Sequence, residues 1–304
     1  MKNPAGPKAY SMPLFHFKHQ REEDLLSLRF DAAEDLEQRS RRGDIRAGFL
    51  LAHLLSTGQG VVADPAHAQR TYQRLRRQLF FRPYTHDAET AFDKARLHHF
   101  GWGGRANPKK ALRYFRACRR LFRQDADQGD RYATHRLAAL YFHGLGGDKD
   151  GLAAMHYLRL AAESGLVHAE LDMTEMLWHG LGGWRDKTEA ARFLEKAANN
   201  NRMPRFRALM AEAQYRMGLM ALEGLGTTVS LKNGYVWLAI AARYGHEAAN
   251  ERRKALDQRL SLSQQLEFQR AAADWVPRYS PDEGEPPPGP YTAPPTGFYA
   301  EAPI

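Results

Sequence analysis

The sequence predicts an all-α protein: a right-handed α-solenoid of about five helical-hairpin repeats, with capping helices at both ends. Three observations point there. A Gly-x-Gly turn recurs at Gly58, Gly101, Gly144, Gly180 and Gly224, in steps of 43, 43, 36 and 44 residues. Around each turn, small and long apolar residues stand at fixed offsets. After four of the turns, Asp or Pro marks the start of a second helix.

Each unit holds two helices. On the first, a small residue stands eleven positions before the turn glycine (Ala47, Thr90, Ala133, Ala169, Ala213) and a long apolar one four before it (Leu54, Leu97, Leu140, Met176, Met220). Those positions share one face of a 3.6-residue helix. A second glycine follows two residues after the first (Gly60, Gly103, Gly146, Gly182, Gly226), and Ala68, Ala111, Ala154, Ala190 and Gly234 stand ten after it. The second helix opens after Asp or Pro (Asp64 with Pro65, Pro108, Asp150, Asp186), residue types suited to a helix N-terminus. The extra residues of the longer units are expected in the loops Arg82–Asp87, Arg123–Gln128 and Asn201–Phe206. A single hairpin cannot bury its apolar face alone, so neighbouring units must share a core.

Outside the repeats, residues 1–20 are polar and Pro-bearing and read as a flexible segment, with a Phe15, His16, Phe17 cluster that would dock on the first helix. Residues 21–42 form an expected N-terminal capping helix, with Leu25, Leu28, Ala32 and Leu36 on one stripe and Glu22, Glu23 and Asp24 at its positive end. The solenoid spans residues 43–276. Its close is a helix to Leu260 and another to Trp275, the latter with capping-box spacing at Ser261 and Gln264. Residues 277–304 carry Pro281, Pro286, Pro287, Pro288, Pro290, Pro294 and Pro295, and are expected to be a disordered, locally polyproline tail, with Tyr291 in a potential docking peptide.

These residues resemble the Sel-one-like repeat family, relatives of the tetratricopeptide repeats. The likeness is clearest in Leu137, Ala138, Tyr141, Gly144, Gly146, Asp150, Ala154, Tyr157, Ala161, Ala162 and Gly165. The double alanine returns as Ala197 with Ala198 and Ala241 with Ala242, whereas Leu75 with Arg76 and Cys118 with Arg119 replace it in the first two units. Tyr235, Trp237, Ala241 and Gly245 resemble the family's closing helices. The resemblance implies a surface presented to another protein. The β-lactamase activity attributed to cysteine-rich members does not carry over, because Cys118 is the single cysteine. The absence of cysteine pairs points to a reducing compartment. No secretory signal opens the chain and no stretch of 18 apolar residues is present, so the expected location is cytoplasmic.

Charge is uneven. The chain carries a formal net charge of +9, and residues 1–125 hold 24 Lys and Arg against 13 Asp and Glu. Much of the excess falls on the second helices of units one and two: Arg70, Arg74 and Arg77, then Lys109, Arg113, Arg116, Arg120 and Arg123. Spacings of three and four put each set on one helical face. Such a stripe would attract an acidic protein, nucleic acid or an anionic surface. Arginine also outnumbers lysine throughout, so the same residues equally suit a solvated outer face under a compositional bias.

A second candidate surface lies on the first helices, which line the concave side in related solenoids. Phe49, Phe92, His135 and Tyr215 stand nine residues before the turn glycine, and His99, Phe142 and Trp178 two before it. These would form an aromatic-rich groove for a partner segment. The alternative is that they seal one repeat against the next.

No metal site is expected. His143 and His179 are equivalent residues of successive repeats, a repeat width apart, and the adjacent His98 and His99 face different ways. No G-x-S-x-G elbow, H-E-x-x-H helix or P-loop appears, and the glycine turns follow helices rather than strands. The resulting expectation is a non-enzymatic adaptor without cofactors, monomeric, binding another protein along the concave face. The alternative is nucleic-acid or anionic-surface binding through the arginine stripe.

Overall fold

A computed structural model of the chain describes residues 32–58, 61–200 and 207–275. The expected flexible segment 1–20, the first half of the expected capping helix (21–31), Gly60, the insertion 201–206 and the tail 277–304 lie outside those residues. The described residues form thirteen α-helices and no strand. Within the expected capping segment stands α1 (Ala32–Arg41). Five hairpins follow: α2 (Ile45–Thr57) with α3 (Pro65–Phe80), α4 (Ala88–His99) with α5 (Pro108–Asp127), α6 (Arg131–His143) with α7 (Gly151–Glu163), α8 (Val167–His179) with α9 (Lys187–Asn199), and α10 (Arg207–Glu223) with α11 (Leu231–Arg243). Helices α12 (Glu247–Asp257) and α13 (Leu262–Ala273) close the stack. Ser261 and Gln264 form the expected capping box of α13.

One turn is built five times. Six residues after the turn glycine stands a residue whose backbone N–H reaches back to a carbonyl of the first helix: Asp64 to Leu55 (2.8 Å), Asn107 to His98 (2.7 Å), Asp150 to Tyr141 (3.0 Å), Asp186 to Leu177 (3.0 Å) and Ser230 to Ala221 (2.8 Å). The same five residues N-cap the second helices, each side chain accepting from a backbone N–H three positions on. One residue therefore closes the turn and starts the next helix, which satisfies donors a helix end would otherwise leave open. The glycine two after the turn residue sits on the preceding hairpin. A Cβ at Gly103 or Gly146 would lie 2.5 or 2.6 Å from the backbone of Tyr72 or Phe115, and both have left-handed φ. Only glycine allows this approach.

Second helices pack against their own first helix and the first helix of the next unit. Leu75, Leu137, Leu140, Leu158 and Leu171 are fully buried between them; burying each contributes about 1.5–3 kcal/mol. The α3–α4 junction is the thinnest between consecutive hairpins. There an aromatic group substitutes for helix contact: Tyr72 stacks on Trp102 at 4.9 Å, and Trp102 on Phe100 at 4.6 Å. The expected loop Arg123–Gln128 is largely helical instead, because α5 runs unbroken to Asp127. Just before it Leu121 and Phe122 are buried, Phe122 edge-on to Phe92, so the helix is anchored there and the insertion lengthens it by a mostly exposed last turn.

Candidate functional site

The face of the first helices is the first candidate. Phe49, Phe92 and His135 do not line it as an open groove: they are 3%, 1% and 3% exposed and belong to the packing between hairpins. Phe92 meets Phe115 and Phe122 edge-on, and His135 holds Asp172 at 2.7 Å. Nine positions before the turn glycine, the side chain is turned toward the neighbouring unit. The position two before it faces outward. His99 is exposed, and Phe142 and Trp178 are half-buried, packed on the central apolar cluster. Tyr215 is also half-buried and stacks on His246, with ring centres 4.4 Å apart. The Lys187 ammonium lies 4.9 Å from the Trp178 ring. Beyond the hairpin turn, Trp184 is half exposed, a surface aromatic that the offset comparison passed over because no other unit has one there.

Between these aromatics lies a chain of polar side chains that the sequence reading did not single out. From α4 to α12, each first helix is tied to the helix that follows it in the stack by a side-chain pair. Glu89 of α4 takes Arg136 of α6 at 2.8 Å; His135 of α6 takes Asp172 of α8; Glu175 of α8 takes Arg216 of α10 at 2.8 Å; Glu212 of α10 takes His246, which caps α12, at 3.0 Å. Burial pushes the carboxyls of Asp93 and Glu175 above the usual range, and their arginine partners, Arg96 and Arg216, offset this only in part. A buried pair of this kind fixes register more than it adds stability. The signal in the sequence was a charged residue eight before the turn glycine in four successive units: Asp93, Arg136, Asp172 and Arg216.

The arginine stripe lies on the outer helices. Arg70, Arg77, Lys109, Arg113, Arg116, Arg120 and Arg123 are exposed, while Arg74 is half-buried against Glu37 and Ser40 of α1. On α5 the guanidiniums are held by neutral groups. Arg113 lies over the Tyr114 ring at 5.1 Å, Arg120 donates to the Thr85 carbonyl at 3.2 Å, and Arg123 donates to the Tyr141 hydroxyl. Two further arginines explain the missing double alanines. Arg76 donates to the carbonyls of Trp102 and Arg105 and to His98 Nδ1, and Arg119 to those of Leu140, Leu145 and Asp148. Each braces the turn of the next hairpin. Burial, with Arg76, Lys110, Arg113 and Lys94 around it, pulls the His98 imidazole down to about 4.

Among the described residues no group of three His, Cys, Asp or Glu is placed to hold a metal ion, and no helix is long and apolar enough to cross a membrane. Cys118 is buried, and burial raises its thiol well above the ordinary value.

A family model described as Sel1 repeat matches residues 46–74, 89–117, 131–166, 168–201 and 211–246, together more than half of the chain. Among solved structures, the chain is similar to a protective antigen present in uropathogenic Escherichia coli strains, described as displaying an SLR fold. That match has 21% identity and a TM-score of 0.42 over 82% of this chain and 56% of the antigen. The chain thus spans little more than half the antigen's length. It is also similar to a Sel1 repeat protein from Oxalobacter formigenes, with 18% identity and a TM-score of 0.41 over 84% of this chain and 99% of that one. No curated protein matches the chain.

Proposed function

The chain belongs to the Sel1 repeat family, and from that premise we propose that it is a non-catalytic scaffold that holds a segment of another protein along the face of its first helices. The working unit in this reading is the solenoid of residues 43–276, capped by residues 21–42. The observation that carries it is the combination on that face of outward aromatics with a fixed frame. His99 is exposed and Phe142, Trp178 and Tyr215 are half-buried there, while the side chains between them are tied by polar pairs from one helix to the next. Aromatic edges on a rigid support are apt anchors, since little freedom is lost on binding.

The test is an affinity capture from lysate of the source organism, with nuclease and at high salt, using the wild-type chain and a Phe142→Ala/Trp178→Ala variant. A defined protein recovered by the first and lost, or reduced at least tenfold, with the second is the expected result. Equal recovery by both would remove this face from the function.

A further inference from the structure

A second surface, on the opposite helices, has the features of a binding site for a different class of ligand. We propose that the surface formed by α3, residues 81–87 and α5 binds single-stranded nucleic acid, with phosphates on the arginine ridge of α5 and a base beside Phe80 and Phe81.

The ridge comes first. Lys109, Arg113, Arg116, Arg120 and Arg123 lie on one face of α5, all exposed, along about 21 Å of helix axis at 1.5 Å per residue. None of the ion pairs among the described residues involves any of them; the pairs nearest in sequence join Arg96 to Asp93 and Arg136 to Glu89. Their positive charge is therefore uncompensated. It is nevertheless held in place, because Arg113, Arg120 and Arg123 are fixed by a tyrosine ring, a backbone carbonyl and a tyrosine hydroxyl. A solvated arginine on a surface selected only for solubility has no need of such supports. Guanidiniums immobilised without losing charge are prepared for an anion, and their planar fork suits phosphate oxygens.

The aromatic pair is the second feature. Phe80 and Phe81 are 72% and 86% exposed at the end of α3, with ring centres 4.9 Å apart, edge to face. They border an open cavity of 450 Å3, also lined by Gln73, Arg76, Arg77 and Gly103. A phenyl face with the Gln73 amide and the exposed Arg77 guanidinium suits a flat ring that both stacks and accepts hydrogen bonds. An aliphatic peptide side chain would leave those polar groups without a purpose. Exposed aromatics beside a basic track are the general device for holding unpaired bases. A duplex hides its base faces and would leave the two phenylalanines idle.

Continuity joins the two features. Residues 81–87 pack on α5 through Tyr84 against Tyr114, ring centres 4.9 Å apart, and through Thr85 against Arg120. Arg76 ties the cavity wall to the turn that leads into α5. A strand could run from the cavity along the ridge without crossing an acidic side chain of α3 or of α5 before Asp125.

The experiment measures fluorescence anisotropy of a labelled thymidine oligonucleotide of about twenty residues against the full chain at about 50 and 200 mM salt. Expected is binding whose log affinity falls with log salt at a slope near −3, about −0.7 for each of some four phosphates neutralised. Arg113→Glu with Arg116→Glu should weaken binding at least tenfold. Phe80→Ala with Phe81→Ala should weaken it at least fivefold with the slope unchanged. Arg270→Glu, at the far end, serves as control and should leave it intact. All these side chains are exposed, and unchanged melting curves establish that the variants fold. The proposal is overturned if the oligonucleotide does not bind at the lower salt. It is equally overturned if polyglutamate of the same length competes as well and the phenylalanine variant binds normally, since the surface would then be a general anion attractor or a site for acidic protein. Neither result touches the scaffold reading, which uses other residues.

Discussion

His98 and His143 sit one unit apart, each near a hairpin turn, and burial holds both imidazoles down to about 4, reinforced at His98 by Arg76 and other cations and at His143 by Lys149. A lowered folded value means that the fold prefers the neutral ring. The stability these residues contribute is thus present above about pH 6.5 and is lost as the pH falls toward 4. Nitrogen-resolved NMR of the imidazoles should show both remaining neutral at pH 5.5, with His98 Nδ1 accepting from Arg76. Titration of either near 6.5 would contradict the packing described at its turn. At this scale the sequence was informative where geometry is local. The turn glycines and the Asp and Ser caps follow from backbone rules that act within six residues. For Phe49, Phe92 and His135 the sequence left groove and inter-repeat seal as alternatives, and burial shows the seal; seven-residue spacing puts them on a face with His99 and Phe142, and no single helix reveals which flank of that face a neighbour covers. The pairs between Glu89 and Arg136, or Glu175 and Arg216, were hidden because partners lie about 40 residues apart and differ in type from unit to unit.

At the scale of the element, a departure from the repeat pattern marks a replacement function. Arg119 takes the place of a small residue on α5 and reaches three carbonyls around the following turn. Charged donors to backbone carbonyls are worth about 1.5–3 kcal/mol when buried and less where water reaches them. Arg119→Ala should therefore lower unfolding free energy by about 1.5 kcal/mol, measured by urea denaturation. Arg116→Ala, three residues away on the exposed face, should change it by no more than about 0.5 kcal/mol. Equal effects would show that the brace contributes nothing. The same substitution pattern explains why the first two units look weakest in the sequence: they keep the fold of the others with arginine where the others have alanine. The length of α5 was misjudged, because a short polar insertion such as Arg123–Gln128 carries no local signal that tells an extra helical turn from a loop.

For the whole molecule, stability is a sum over neighbours, so the thinnest junction is where it divides. The α3–α4 boundary has the least helix contact between hairpins. Amide exchange in α2 and α3 should accordingly become rapid at urea concentrations that leave α6–α9 protected, as followed by mass spectrometry. Exchange of all hairpins together would instead mean that the aromatic stack of Tyr72, Trp102 and Phe100 couples them fully. The solenoid itself was legible because its period is written five times. What holds its units in sequence was not. Each link joins a residue of one unit to the position eight before the turn glycine in the next: Glu89 to Arg136, His135 to Asp172, Glu175 to Arg216. Loss of the third, middle unit by recombination would set Glu89 against Asp172, one carboxylate against another. Repeat genes readily gain and lose copies; in this one, a copy removed from the middle would bring like charges together in the interior, so the unit number is guarded by electrostatics as well as by shape.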